Sequence, residues 1–274
     1  MASISFASPT RALCRILTYV PFTLVCIPFQ AVLIALRAPL RKRFPQWYHK
    51  RCLRLLGLRT ETHGTPSTTH PTLFVANHVS YLDIEILGAL LPASFVAKRE
   101  VANWPFFGLL AKLQRTVFIA RESRRAMEQR DEMQARLEDG DDLILFPEGT
   151  SGDGNRVLPF KSALFAVAER TVDGAPLTVQ PVSVAYSKLD GLPMGRHMRP
   201  FFAWYGDMDL MPHMWETLSL GTVTVEVTFH EPVTLADFGS RKALSQHCWR
   251  HVDQGVSDAL SGHRESPEPH AKAA

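Results

Sequence analysis

The chain is poor in cysteine, and none of it looks paired: Cys14, Cys26, Cys52 and Cys248 show no CxxC spacing, and two lie in or beside the most apolar segment. That pattern argues against a disulfide framework or a zinc site and suits a reducing compartment. Excess charge is lacking too, since a formal net charge of +3 over 274 residues is too small to point to nucleic acid. No G-x-S-x-G elbow is present for a serine hydrolase. His247 and His251 are spaced for one helix face, but no H-E-x-x-H occurs and no third metal ligand is evident. Gly154 to Ser162 fails as a phosphate loop because Phe160 stands where glycine is needed directly before Lys161-Ser162. Gly152-Asp153-Gly154-Asn155 lacks the spaced carboxylates of a calcium loop. No internal repeat is visible.

What is present begins with an apolar run. Ile16 to Leu36 is 21 residues without a charge, enough at about 1.5 Å per residue to cross a hydrocarbon core of roughly 30 Å. The run exceeds a signal-peptide h-region, and basic residues stand where a cleavage site belongs, so an uncleaved anchor is expected over a signal peptide. Pro21 and Pro28 inside it leave open whether it spans the bilayer or lies in the interface. Arg11 and Arg15 precede it. Between Arg37 and Arg54 there are seven basic residues and no acidic one. The heavier charge on the following flank places the rest of the chain on the cytoplasmic side. The basic run reads equally as a stop-transfer flank or as a contact with anionic head groups. Residues 1–44 are therefore expected to form an anchor with its basic flank, 45–260 one catalytic domain, and 261–274 a polar, disordered tail.

Short apolar runs bounded by breakers read as strands at Leu73–Ala76, Phe95–Ala97, Thr116–Ala120, Leu143–Phe146, Thr178–Ala185 and Thr222–Phe229. The last alternates Val223, Val225, Val227 and Phe229 with polar residues, which predicts a half-exposed strand near a sheet edge. Ser123–Asp139 predicts a helix with a serine cap, Ala126, Met133 and Leu137 on one face, and Gly140 closing it. Strands alternating with helices predict an α/β fold: a mixed sheet flanked by helices behind an N-terminal membrane helix.

Two strands run into polar clusters. Leu73–Ala76 leads to Asn77-His78-Val79-Ser80-Tyr81-Leu82-Asp83, and Leu143–Phe146 leads to Pro147-Glu148-Gly149-Thr150. Ligands collect beyond the carboxyl ends of strands in open α/β sheets, so both clusters can face one crevice. On a regular helix His78 and Asp83 would stand about 140° apart. They meet more easily if His78 lies just before a helix starting near Ser80 and Asp83 lies in its first turn. Asp83 then orients one ring nitrogen and leaves the other as a base. An H-x4-D pair alone is weak, as a capping aspartate beside an unrelated histidine gives the same spacing. The Pro147-Glu148-Gly149 turn presents a carboxylate, or is simply a turn with an exposed glutamate. The aromatic cluster Phe201, Phe202, Trp204 and Tyr205 reads first as core and second as a membrane-facing or acyl-lining surface.

Taken together, Asn77-His78-x4-Asp83 and Phe146-Pro147-Glu148-Gly149-Thr150 resemble the first and third blocks of the glycerolipid acyltransferases, lysophosphatidic acid acyltransferases in particular. Phe118-Ile119-Ala120-Arg121 is similar to the second block, which usually opens with glycine where Arg115 stands here. Val179-Gln180-Pro181-Val182 resembles the fourth. The stretches Glu148–Ser162 and Ala203–Met208 also resemble bacterial lyso-ornithine lipid acyltransferases. The resemblance implies a membrane enzyme, bacterial and facing the cytoplasm, that needs no cofactor or metal because its acyl-CoA or acyl-carrier-protein donor is already activated. It implies that His78 is the base and Asp83 its holder. It gives substrate binding to Asn77, Arg121, Glu148, Gly149 and Thr150, with Lys161 adding charge or merely a solvated helix start. Arg121 suits a phosphate, with a surface ion pair to Glu122 as its plain alternative. Lysophosphatidic acid is the first expected acceptor and lyso-ornithine lipid the second. A non-catalytic lipid-binding protein and a hydrolase are the alternatives of other classes.

Overall fold

The computed structural model describes residues 7–119, 126–172 and 174–262, with the backbone alone for 126–130. Arg121, the Ser123 cap and nearly all of the tail lie outside the described residues. At the tail's start, Ser261 ends the last helix and Gly262 caps it at φ +70°.

In chain order the elements are α1 (Pro9–Ala35), α2 (Phe44–Leu56), β1 (Leu58–His63), β2 (Thr72–Ala76), α3 (Leu82–Leu90), β3 (Ser94–Lys98), α4 (Phe107–Leu113) and β4 (Val117–Ile119). There follow α5 (Ala126–Glu138), β5 (Leu143–Leu145), the short hairpin β6 (Thr171–Val172) and β7 (Ala175–Pro176), β8 (Thr178–Leu189) and β9 (Leu192–Pro193). The last elements are α6 (Leu210–Ser219), β10 (Val223–Phe229), β11 (Val233–Thr234) and α7 (Arg241–Ser261). The main sheet runs β1-β10-β8-β2-β5-β3-β4, with β9 and β11 also pairing β8. It is mixed: β8 meets β10 antiparallel, whereas β2 is parallel to both β8 and β5.

Side-chain alternation along the strands builds two cores. On one face Phe74, Ala76, Phe95 and Ile144 pack with Cys52, Leu53 and Leu56 of α2 and with Ile86 and Leu87 of α3. On the other, Leu73, Val75, Leu143 and Leu145 pack with Met133 and Leu137 of α5 and Leu244 and Cys248 of α7. The sheet is thus a middle layer between helices. Met133 and Leu137 of the expected helix are both buried there.

One strand departs from its expected exposure. β10 stands one place in from the edge, and Val223 to Val227 are all buried, the polar Thr224 and Glu226 included. The cause is a second cover. β1, a strand of mainly polar residues, closes the edge. On the polar face Glu226 lies opposite Ala185 in register, and Ala185 packs beneath Val252 and Val256 of α7.

α1 is long and apolar enough to cross a membrane by length and composition, yet it is fastened to the domain at both ends. Near its start, Arg11 Nη1 donates to Ser219 O at 3.2 Å, and Arg15 donates to Leu218 O, Leu220 O and Gly221 O at 2.9–3.0 Å. Near its end, Gln30 Nε2 donates to Arg41 O and Leu113 O. Between them Thr23 Oγ1 and Tyr48 Oη are 2.9 Å apart. The two arginines read from sequence as a flank outside the membrane segment therefore lie inside the helix and bind the carbonyl end of α6. Gly57 ends α2 at φ +74°, and a Cβ there would sit 1.8 Å from Arg15 Nη2, so only glycine lets the guanidinium in.

Candidate active site

The register between β2 and β5, Val75 opposite Leu145, sets Asn77 and Pro147 side by side just beyond the carboxyl ends of two buried parallel strands. Both polar clusters therefore open on one crevice. The chain leaves β2 through a short bend before α3 starts at Leu82, slightly later than the expected Ser80. Asp83 lies in the first turn of α3, completely buried, and its Oδ2 accepts hydrogen bonds from Val79 N at 2.7 Å and Ser80 N at 2.9 Å. The same oxygen lies 2.8 Å from His78 Nδ1. A carboxylate facing Nδ1 fixes the proton on that nitrogen and leaves the lone pair on Nε2. The His78 side chain is 22% exposed while that of Asp83 is 0% exposed, which puts the imidazole at the crevice surface and the carboxylate beneath it.

The rest of His78 is held as firmly. Its backbone N–H donates to Glu148 Oε1 at 2.9 Å, and its carbonyl accepts from Gly152 N at 2.9 Å. The imidazole stacks on Phe146, centroids 4.2 Å apart and planes at 20°. No hydrogen bond to Nε2 occurs among the described residues. Such an arrangement can take a proton from a hydroxyl and return it, which is general base and then general acid chemistry.

The residues expected to bind substrate are placed differently from one another. Asn77 is buried, its amide spent on Val184. Glu148 is 3% exposed, and its second oxygen accepts from Leu158 N at 3.2 Å, so neither oxygen lines the mouth. Burial pushes the Glu148 carboxyl up to about 8, with Asp83 adding to the rise and the two amide hydrogen bonds opposing it. Gly149, at φ +68°, is half-buried and Thr150 is exposed, and Lys161 Nζ lies 2.7 Å from where a Cβ on Gly149 would stand. Arg121 is among the residues not described. The position where glycine is usual, Arg115, adopts φ +61°, the left-handed region that favours glycine. Its guanidinium is held there by both oxygens of Asp141, at 3.2 and 2.5 Å.

Two residues of the site carry no spacing signal in the sequence. Tyr186, on β8, donates to Asp83 Oδ1 at 2.7 Å. Trp204 closes the rim: its backbone N–H donates to Val79 O at 2.9 Å, Ser151 Oγ donates to its carbonyl, and its ring meets Tyr81 and Trp104 edge-on. The aromatic cluster is thus divided between core, where Phe202 is 1% exposed, and rim. His247 and His251 lie against each other on α7 with centroids 4.3 Å apart.

Comparison with known proteins agrees with this geometry. The acyltransferase family matches residues 59–185. The chain is 44% identical to the lyso-ornithine lipid O-acyltransferase of Brucella abortus (strain 2308), over 91% of this chain and 94% of that protein. It is 40% identical to the lyso-ornithine lipid O-acyltransferase of Rhizobium meliloti (strain 1021), over 96% and 93%. The 1-acyl-sn-glycerol-3-phosphate acyltransferase of Neisseria gonorrhoeae is 35% identical over 71% of this chain and 74% of its own. Among solved structures, the 1-acyl-sn-glycerophosphate acyltransferase PlsC of Thermotoga maritima shares the fold, with a TM-score of 0.64 and 22% identity over 91% of this chain and 97% of that one. With a histidine ring set over a buried carboxylate, and with lyso-ornithine lipid O-acyltransferases similar to it along nearly its whole length, this chain belongs to the acyltransferase family and is an enzyme of acyl transfer.

Proposed function

We infer that the protein transfers a fatty acyl group from an acyl-CoA or acyl-carrier-protein thioester to the hydroxyl of lyso-ornithine lipid. The observation that carries the acceptor is the likeness of 40–44% along nearly the whole chain to lyso-ornithine lipid O-acyltransferases. Lysophosphatidic acid, which the motifs alone rank first, rests on 35% identity over a shorter span and becomes the second reading.

In the proposed reaction the acceptor hydroxyl attacks the thioester carbonyl while His78 Nε2 takes its proton. The tetrahedral intermediate collapses, the carbon–sulfur bond breaks, and the imidazolium returns the proton to the leaving thiolate. Asp83 holds the ring and stabilises the imidazolium. Asn77 and Glu148 act from behind: they set the backbone around His78 and do not touch the acceptor. Gly149, Thr150 and Lys161 border the acceptor site. Lyso-ornithine lipid carries no phosphate, so this reading asks no phosphate clamp of Arg121.

We place the enzyme on a membrane with α1 lying in the interface. Both ends of α1 are bound to the same domain, and its outer face shows Leu13, Leu17, Leu24, Val25, Phe29 and Val32. Neighbouring elements continue that face with Phe106, Leu109, Met211 and Trp215 exposed.

The test is acyl transfer by purified protein in detergent, with lyso-ornithine lipid and lysophosphatidic acid offered separately beside both donors. Product from lyso-ornithine lipid supports the proposal, and product only from lysophosphatidic acid replaces the acceptor. Thiol release without any acceptor indicates a hydrolase, and lipid binding without thiol release a non-catalytic protein. His78→Ala should remain folded and lose turnover; near-normal activity removes the mechanism.

A further inference from the structure

Asp83 is a buried carboxylate with two oxygens in different service. Oδ2 receives His78 Nδ1 and the amides of Val79 and Ser80, all from its own loop. Oδ1 receives a hydrogen bond from Tyr186, 103 residues away on β8. β8 is long enough to pass beyond the end of β2. Its residues 178–182 pair with β2 backbone to backbone, and Val184 then pairs with the Asn77 side chain. Tyr186 is the next residue on the same face. Its ring is fully buried, lies 6.2 Å from Phe202 with planes at 18°, and has no freedom to point elsewhere.

We propose that Tyr186 is a positioning residue of the catalytic unit, holding Asp83 by Oδ1 so that Oδ2 stays aimed at His78 Nδ1. The proposal rests on the reading of His78 as the base. Without the phenol, a completely buried carboxylate oxygen lacks its donor, and the side chain can rotate about χ2 and release the imidazole. The phenol also draws charge away from Asp83. Removing it leaves a more basic carboxylate, which stabilises the imidazolium and makes His78 harder to deprotonate. Burial and the neighbouring Asp83 raise the Tyr186 hydroxyl well above its ordinary value, so it remains a donor throughout the working range. The titratable groups facing this unit are His78 and Tyr186 on Asp83, Glu148 beyond them, and Tyr81 toward Tyr186.

The experiment is Tyr186→Phe in the full-length protein, read in two ways. NMR titration of labelled histidine, with the His78 signal assigned from His78→Ala, needs no substrate. The expected result is a His78 titration displaced to higher pH. The acidic limb of kcat/KM should follow it, and kcat should fall about tenfold with KM for both substrates little changed. An unmoved titration and limb overturn the proposal and leave Tyr186 as core packing. Should the phenylalanine variant not fold, 3-fluorotyrosine placed at 186 keeps the ring and strengthens the donor. It should displace the His78 titration to lower pH, and no displacement again overturns the proposal. If wild-type protein transfers no acyl group while the titration still moves, the functional reading fails and the Tyr186 coupling stands.

Discussion

Asn77 stands in for a peptide unit beside Val184: its Nδ2 donates to Val184 O at 2.9 Å and its Oδ1 accepts from Val184 N at 2.8 Å. β2 ends at Ala76, and this side chain carries the pairing with β8 one step further while the backbone turns away toward His78. Asn77→Ala should leave two buried peptide groups without partners, at about 1–3 kcal/mol each. Urea denaturation measures the loss, and kcat should fall with it because His78 follows directly. Wild-type stability in that variant would refute the account.

Glu148 gives a pH dependence whose sign is set by its direction of shift. Its carboxyl rises from an ordinary 4.5 to about 8 on folding. The contribution to stability is therefore complete below about 4.5 and is lost as pH rises to about 8. The thermal midpoint of the wild type should carry a fall over that window, and Glu148→Gln should lack it. The introduced glutamine would also turn an amide N–H₂ toward one of two backbone donors, so turnover of that variant should drop at every pH. A variant whose midpoint follows the wild-type profile through the window would show that Glu148 is not its source.

At the opposite end of the sheet Asp141 gathers Lys42 Nζ at 2.8 Å, Arg115 Nη2 at 2.5 Å and Arg136 Nε at 2.7 Å. Burial raises its carboxyl, but hydrogen bonds from the three cations outweigh this and hold it below the usual range. Stability from this group is present above its ordinary value of 3.8 and disappears as pH falls below it. Asp141→Asn should cost about 2 kcal/mol at pH 7, since the cations are partly exposed and the pairing is screened. The gap to wild type should close under acid. Detergent-assayed kcat should be unchanged, as the cluster lies away from the crevice.

The interfacial placement of α1 predicts separable effects. Leu24→Lys with Val25→Lys should weaken sedimentation with anionic vesicles by about tenfold or more, as each buried aliphatic side chain is worth about 1.5–3 kcal/mol. Activity in detergent should persist. Undiminished vesicle binding would remove this face from the interface.

Periodicity located the strands that matter because β2, β5 and β8 are buried on both faces and read as apolar runs, broken in β8 only by Gln180 and Ser183 before Tyr186. It missed β1, whose Arg59-Thr60-Glu61-Thr62 reads as loop, because β1 gains its order from pairing with β10 and not from its own pattern. It misjudged the exposure of β10 for the same reason, since β1 pairs along the outer edge that the strand's own alternation leaves open. Within the site, His78 and Asp83 were legible because a short stretch of chain joins them. Tyr186 was not, because no local rule ties a tyrosine to an aspartate 103 positions earlier.

Legible without the fold are a histidine and an aspartate after one strand, a Pro-Glu-Gly turn after another, and an apolar start followed by unrelieved positive charge. Those are local properties, written in residue type and spacing. Which polar groups face the crevice and which face inward is set by packing between distant segments. Asn77 and Glu148 are polar residues in the loops that follow two strands, and both turn inward because buried backbone N–H and C=O groups of neighbouring segments require partners there. The same holds for α1, whose composition allows a crossing while Arg15 and Gln30 bind both its ends to one domain.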